Sequence, residues 1–141
     1  MAPNFLHLRA SPAEAIAIVQ AWCGGQEPLY EADHEVEENG WLTMSIDLTY
    51  QPIEEWLALG EHVDLLYETY STSTLMGEIV YIAGRQLIKH VLIDTDNPDE
   101  QINIGALRFE SKRPFRTWGD IWAFVDDWMW EKEVEPLVGA A

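Results

Sequence analysis

Basic residues are scarce. Over the first 84 positions Arg9 stands alone against fourteen carboxylates, and the chain carries Lys+Arg 8 against Asp+Glu 25, a net charge of −17 in 141 residues. A surface of that sign repels phosphates and anionic headgroups, so direct contact with nucleic acid or a membrane surface through a basic footprint is not expected. Cysteine is nearly absent: Cys23 is the only one, which rules out a disulfide framework or a paired-thiolate metal site. A lone Cys reads as a small buried hydrophobe. Long apolar runs are missing as well, since Ala15–Val19 and Ile121–Val125 are far too short to span a bilayer. The first nine residues lack the charged and apolar regions of a signal peptide, so the cytoplasm is the expected location.

What is present suits a packed core. A hydrophobic fraction of 48% and seven Trp keep the chain outside the disordered class despite its charge. The length fits one globular domain over 1–141, with a tail over 131–141 expected to be loosely held. Self-repulsion at this level costs stability, so the charge implies a use: solubility, salt tolerance, or steering toward a positive partner.

Periodicity places the elements. Residues 4–9 alternate weakly as a first strand. Ser11-Pro12-Ala13-Glu14 starts a helix, with Ser11 as cap, Pro12 at the first helical position and Glu14 completing a capping box. Gly24-Gly25 should end it. Leu42, Met44, Ile46 and Leu48 alternate with Thr43, Ser45, Asp47 and Thr49, and upstream Tyr30, Ala32, His34 and Val36 alternate with Glu31, Asp33, Glu35 and Glu37. A three-residue Glu38-Asn39-Gly40 loop with a bulge sets Val36 opposite Leu42, His34 opposite Met44 and Ala32 opposite Ile46. Further strands are expected over 62–73, 78–83, 87–94 and 104–109, with a turn at Gly84-Arg85. Short helices are expected from Gln51 and from Thr117. The order predicts an α+β fold: a mostly antiparallel sheet with about three helices on one face.

The chosen register sends Glu31, Asp33, Glu35 and Glu37 to the outer face of the hairpin, about 6.6–7 Å apart, with Glu31 facing Asp47. Such a ladder is either a solvated edge that resists aggregation or a docking face, with Trp41 as an aromatic anchor. The spacing also suits mimicry of nucleic-acid phosphates. On the last helix Trp118, Ile121, Trp122, Val125, Trp128 and Met129 form a stripe broad enough to leave Trp122 or Trp128 at the surface, as secondary interface candidates.

Other motifs read as structure. Asp94–Glu100 resembles a calcium loop but has Pro98 and Asp99 where a ligand and a Gly are needed, so it is a turn. His7, His34, His62 and His90 show no ligand spacing, and neither a metal nor a cofactor is expected. Ser71–Thr74 reads as an edge strand. Arg108, Lys112, Arg113 and Arg116 hold half the basic residues, either as an anion site or as charge balance for Glu110 and Asp120.

The single acidic α+β domain, the candidate surface aromatics and the lack of a catalytic motif resemble the small acidic immunity proteins of bacterial toxin–immunity systems. That resemblance implies a non-enzymatic inhibitor that blocks a basic partner, such as a toxin domain, by occlusion. The alternatives are a nucleic-acid mimic and a small ligand-binding or enzymatic domain with a pocket under the C-terminal helix. The sequence leaves the oligomeric state open.

Overall fold

The computed structural model describes residues 4–22, 29–36, 41–46, 51–71, 73, 75–107, 110 and 113–131. Seven strands form one sheet: β1 (Asn4–Leu8), β2 (Leu29–Val36), β3 (Leu42–Ile46), β4 (Leu65–Ser71), β5 (Met76–Ala83), β6 (Gln86–Asp94) and β7 (Ile102–Ile104). Their order is β2-β3-β1-β4-β5-β6-β7, and every adjoining pair is antiparallel. With the helices α1 (Pro12–Trp22), α2 (Ile53–Gly60) and α3 (Trp118–Glu131), the class is α+β.

Local chemistry sets the element ends. The Ser11 hydroxyl accepts from the Glu14 N–H at 3.4 Å and donates to the Glu14 carboxylate at 2.9 Å, which closes the start of α1. At α3 Asp120 works in reverse: its carboxylate reaches back to accept from the N–H groups of Arg116 and Thr117, both at 2.8 Å. Gly84 and Arg85 take φ of 59° and 66°, the paired left-handed geometry of a tight hairpin turn between β5 and β6.

Two register features depart from simple alternation. Val36 faces Leu42 and His34 faces Met44, as the sequence predicts, but Leu29 rather than Ala32 faces Ile46, because β2 is irregular between Leu29 and His34. On β6 the pairing slips between Tyr81–Lys89 and Ile82–Leu87, leaving Ile88 as the extra residue. The slip exchanges faces: Leu87 joins one apolar cluster, while Ile88 joins Val91 and Ile93 in the other.

The sheet is covered on both faces, which corrects the expected one-sided layer. Leu6, Leu8, Leu42, Leu65, Tyr67, Val80 and Ile82 face α1 and α2, packing with Ala15, Val19, Trp56 and Leu59. Leu66, Ile79, Tyr81, Val91 and Ile93 face the other way, against Ile121, Phe124 and Val125 of α3 and against Phe115. Successive residues of β4 and β5 serve opposite layers, so Leu65–Tyr67 and Ile79–Ala83 run apolar without interruption. Each fully buried Leu among them contributes about 2–3 kcal/mol of burial.

Three further expectations shift. The last strand is Ile102–Ile104 rather than 104–109, and Leu107 is buried beyond it. The 62–73 segment turns through Glu61–Asp64 before β4 begins. Ser71 ends β4, an interior strand between β1 and β5 and not an edge. Cys23, the Gly24-Gly25 stop, Glu38–Gly40 and the tail after Glu131 lie outside the described residues.

Candidate functional site

Among the described residues β2 is the outermost strand of the sheet at one side, and Glu31, Asp33 and Glu35 lie along it. Glu35 takes a register position opposite Thr43. Glu37 and Asp47 lie outside the described residues, and so does the expected opposition of Glu31 and Asp47. Val36, at the end of the strand, is 62% exposed. The pairing of β2 with β3 is irregular between Leu29 and His34, the span that holds Glu31 and Asp33.

Trp41 is not a surface anchor. It is 5% exposed, meets Tyr81 edge-to-face at 6.4 Å, and carries the Arg9 guanidinium 5.1 Å above its ring. An indole at the base of a hairpin has more apolar area to bury than any neighbour, and the α3-side cluster takes it. Trp122 is 56% exposed on α3, where Ile121, Phe124 and Val125 turn inward. Trp128 lies in α3, its side chain outside the described residues.

Sequence reasoning missed the most tightly built polar groups. His7 Nε2 lies 2.6 Å from Glu68 Oε2 and Nδ1 lies 2.8 Å from the Thr43 hydroxyl, both within hydrogen-bond distance. These three residues tie β1, β3 and β4 together on the α3 side. A hydroxyl, an imidazole and a carboxylate in series is also the set that activates nucleophiles. Here, however, His7 and Glu68 are only 2% and 4% exposed, so the ring is sealed in the core. On the opposite face His90 Nε2 meets Glu78 Oε2 at 2.8 Å, both residues 6% exposed. His7 and His90 are thus both hydrogen-bonded core histidines. Pairing across 61 positions leaves no local signal; the only hint at His7 was its place between Leu6 and Leu8.

Of the basic segment, Arg113 alone is seen in an ion pair among the described residues, with Asp120, while Glu110 pairs with Lys89 of β6. Lys89, fully buried, donates to Asn103 Oδ1 at 2.5 Å, to the Gly105 carbonyl at 2.7 Å and to Glu110 Oε1 at 2.7 Å, with Phe115 5.4 Å beneath it. Glu110 Oε1 also accepts the Leu107 N–H at 2.8 Å. This cluster folds the stretch after β7 back onto β6. Gly105, at φ 86°, is what lets the backbone come so close, since a Cβ there would collide with the Ile88 carbonyl. Arg113 donates to Asp120 at 2.6 Å. Burial raises the Asp120 carboxyl, but the hydrogen bonds from Arg113, Arg116 and Thr117 outweigh it and hold the group below its ordinary value. Arg108 and Lys112 lie outside the described residues.

The Asp94 carboxylate spends its lone pairs inside its own turn, accepting from the N–H groups of Asp96 and Asn97 and from the Asn97 amide. Among the described residues no group of three His, Cys, Asp or Glu could hold a metal, and no helix is long and apolar enough to cross a membrane. Under the described part of α3, Phe115, Ile121, Phe124 and Val125 pack against the sheet. The chain matches no family model, no curated protein and no solved structure.

Proposed function

We propose that this is an acidic protein-binding module that neutralises a basic partner, such as the toxin domain of a bacterial toxin–immunity system, by direct binding and occlusion. The observation that carries this is the place of β2: among the described residues it is the outermost strand, and Glu31, Asp33 and Glu35 are spaced along it. An outermost strand presents main-chain donors and acceptors on its rim. A partner strand adds there by pairing, and its Lys or Arg side chains meet the carboxylates. Charge of this sign raises encounter rates roughly 10–1,000-fold, and apolar contact lengthens residence. Val36 and Trp122 supply apolar area at the surface. Burial of both His–Glu pairs favours binding over acid–base catalysis, because a reacting group needs access to substrate.

The test is affinity capture from host lysate with the wild type and with the triple variant Glu31→Lys, Asp33→Lys, Glu35→Lys, each washed at low and high salt. One basic protein held by the wild type and lost by the variant supports the proposal. Equal retention by both reduces the ladder to a solvated edge. A set of DNA-binding proteins shed in salt favours mimicry, and an empty capture favours a small ligand.

A further inference from the structure

The fold gathers charges of both signs around a cavity of about 350 Å³ at one end of the sheet. Arg9 enters from the end of β1, Glu14 from the first turn of α1, Glu61, His62 and Asp64 from the turn after α2, and Arg85 from the β5–β6 hairpin. Arg9 and Arg85 are the first two cations in the sequence, and 76 positions separate them. In a chain of net charge −17, their meeting at one cavity is a product of the fold and not of composition.

These groups are only partly neutralised: Arg9 pairs loosely with Asp64 and lies over the Trp41 ring, and Glu14 accepts from the Ser11 hydroxyl. Arg9 lies 3.7 Å from Asp64, beyond hydrogen-bond distance, and its side chain is 64% exposed. Among the described residues the side chains of Glu61, His62 and Arg85 have no partner in a hydrogen bond or ion pair. Arg85 also holds a costly backbone. At φ 66° it occupies the second left-handed position of the turn, where Gly or Asn relieves the Cβ clash. Asp64 Oδ1 accepts the Gly84 N–H at 2.9 Å and fastens that turn to the cavity wall. The strained residue is thus the one that brings a guanidinium to the rim, an association typical of ligand sites.

We propose that this cavity binds a small zwitterion of amino-acid or dipeptide size, its carboxylate held by Arg9 and Arg85 and its ammonium by Glu14 and Glu61. The volume falls in the range of small-molecule sites. Two arginines give a carboxylate planar, charge-assisted donors, and the facing carboxylates exclude a ligand that is only an anion. This site is independent of the β2 rim, so either can fail without the other.

Amide chemical-shift titration with glycylglycine and L-glutamine tests it, with acetate and ethylammonium as single-charge controls. The expected result is saturable shifts at Glu61, His62, Gly84 and Arg85, with both zwitterions bound about ten-fold or more tighter than either control. Arg85→Gly should weaken binding by a similar factor while raising the melting temperature, because it removes the guanidinium and the strain together. The proposal is overturned if acetate binds as tightly as the zwitterions, if neither zwitterion saturates, or if Arg85→Gly leaves affinity unchanged.

Discussion

The two faces of the sheet hold their covering layers by different means. Under α1 and α2 the contact is aromatic and aliphatic: Trp56 stacks on Tyr67 at 4.3 Å and leans on Trp22 at 5.0 Å, whose indole N–H donates to the Glu55 carbonyl. On the other face charge attaches the layer. Lys89 anchors the stretch after β7, and Asp120 ties the start of α3 to Arg113. Each face also contains one His–Glu pair, so the pairs themselves do not separate them. The difference teaches that an acidic chain need not spread its few cations over its surface. It can bury one where three acceptors converge and use it to place a whole loop.

Truncation separates the two modes most strongly. Trp56→Ala and Lys89→Ala should each cost about 3–5 kcal/mol in urea unfolding, the first through a cavity and the second by leaving Glu110 without its partner. A second substitution distinguishes them. Adding Glu110→Gln should recover about 1 kcal/mol or more of the Lys89 loss, whereas it should add independently to Trp56→Ala. Full additivity in both backgrounds would mean that Lys89 acts as bulk and not as charge.

Acid sharpens the contrast at α3. Asp120→Asn should cost about 1–2 kcal/mol at pH 7. The folded carboxyl lies below its ordinary 3.8, so the unfolded chain takes up this proton first. The stabilisation is complete above pH 3.8 and fades as pH falls through the folded value. The gap between wild type and variant should therefore close in acid, and a gap of constant size would show that the pairing with Arg113 contributes nothing.

Alkali probes the other face, with the smallest effect. Burial first, then the Glu78 charge, pushes the Tyr67 hydroxyl up from 10.0 to about 12. The unfolded chain loses that proton first, so stability is complete below pH 10.0 and is lost as pH rises toward about 12. Tyr67→Phe should cost about 1 kcal/mol at neutral pH and give a shallower alkaline decline. Tyr70 and Tyr81, also raised by burial, keep the rest of that decline in place.

The elements that carry local signals were legible. Ser11 and Asp120 cap as their spacing implied, and the Gly84-Arg85 turn stands where the alternation broke. The two-sided cover leaves its trace in the apolar run Ile79–Ala83 of β5, where neighbours along the chain face opposite layers. Two register effects stayed hidden: the one-residue bulge at Ile88, which exchanges faces along β6, and the three-residue slip of β2 between Leu29 and His34. At the candidate docking site, Trp41 shows the limit of reading an aromatic beside acids as exposed. The hairpin pattern gave its position, but the apolar face waiting for it, built from Tyr81 and Leu66, lies more than 20 residues away.

β1 lies in the middle of the sheet, paired to β3 through Leu42–Ser45 and to β4 through Leu65–Thr69. A ribosome extending the chain at about 5–20 residues per second makes β1 wait on the order of 3–12 s for its second neighbour. During that interval β1 has at most β3 beside it and one edge left open, so Leu6 and Leu8 are only partly covered and the half-built domain is adhesive. The carboxylates that crowd the same stretch of chain are synthesised in step with it, so the nascent segment carries its own repulsion against self-association before any partner is met.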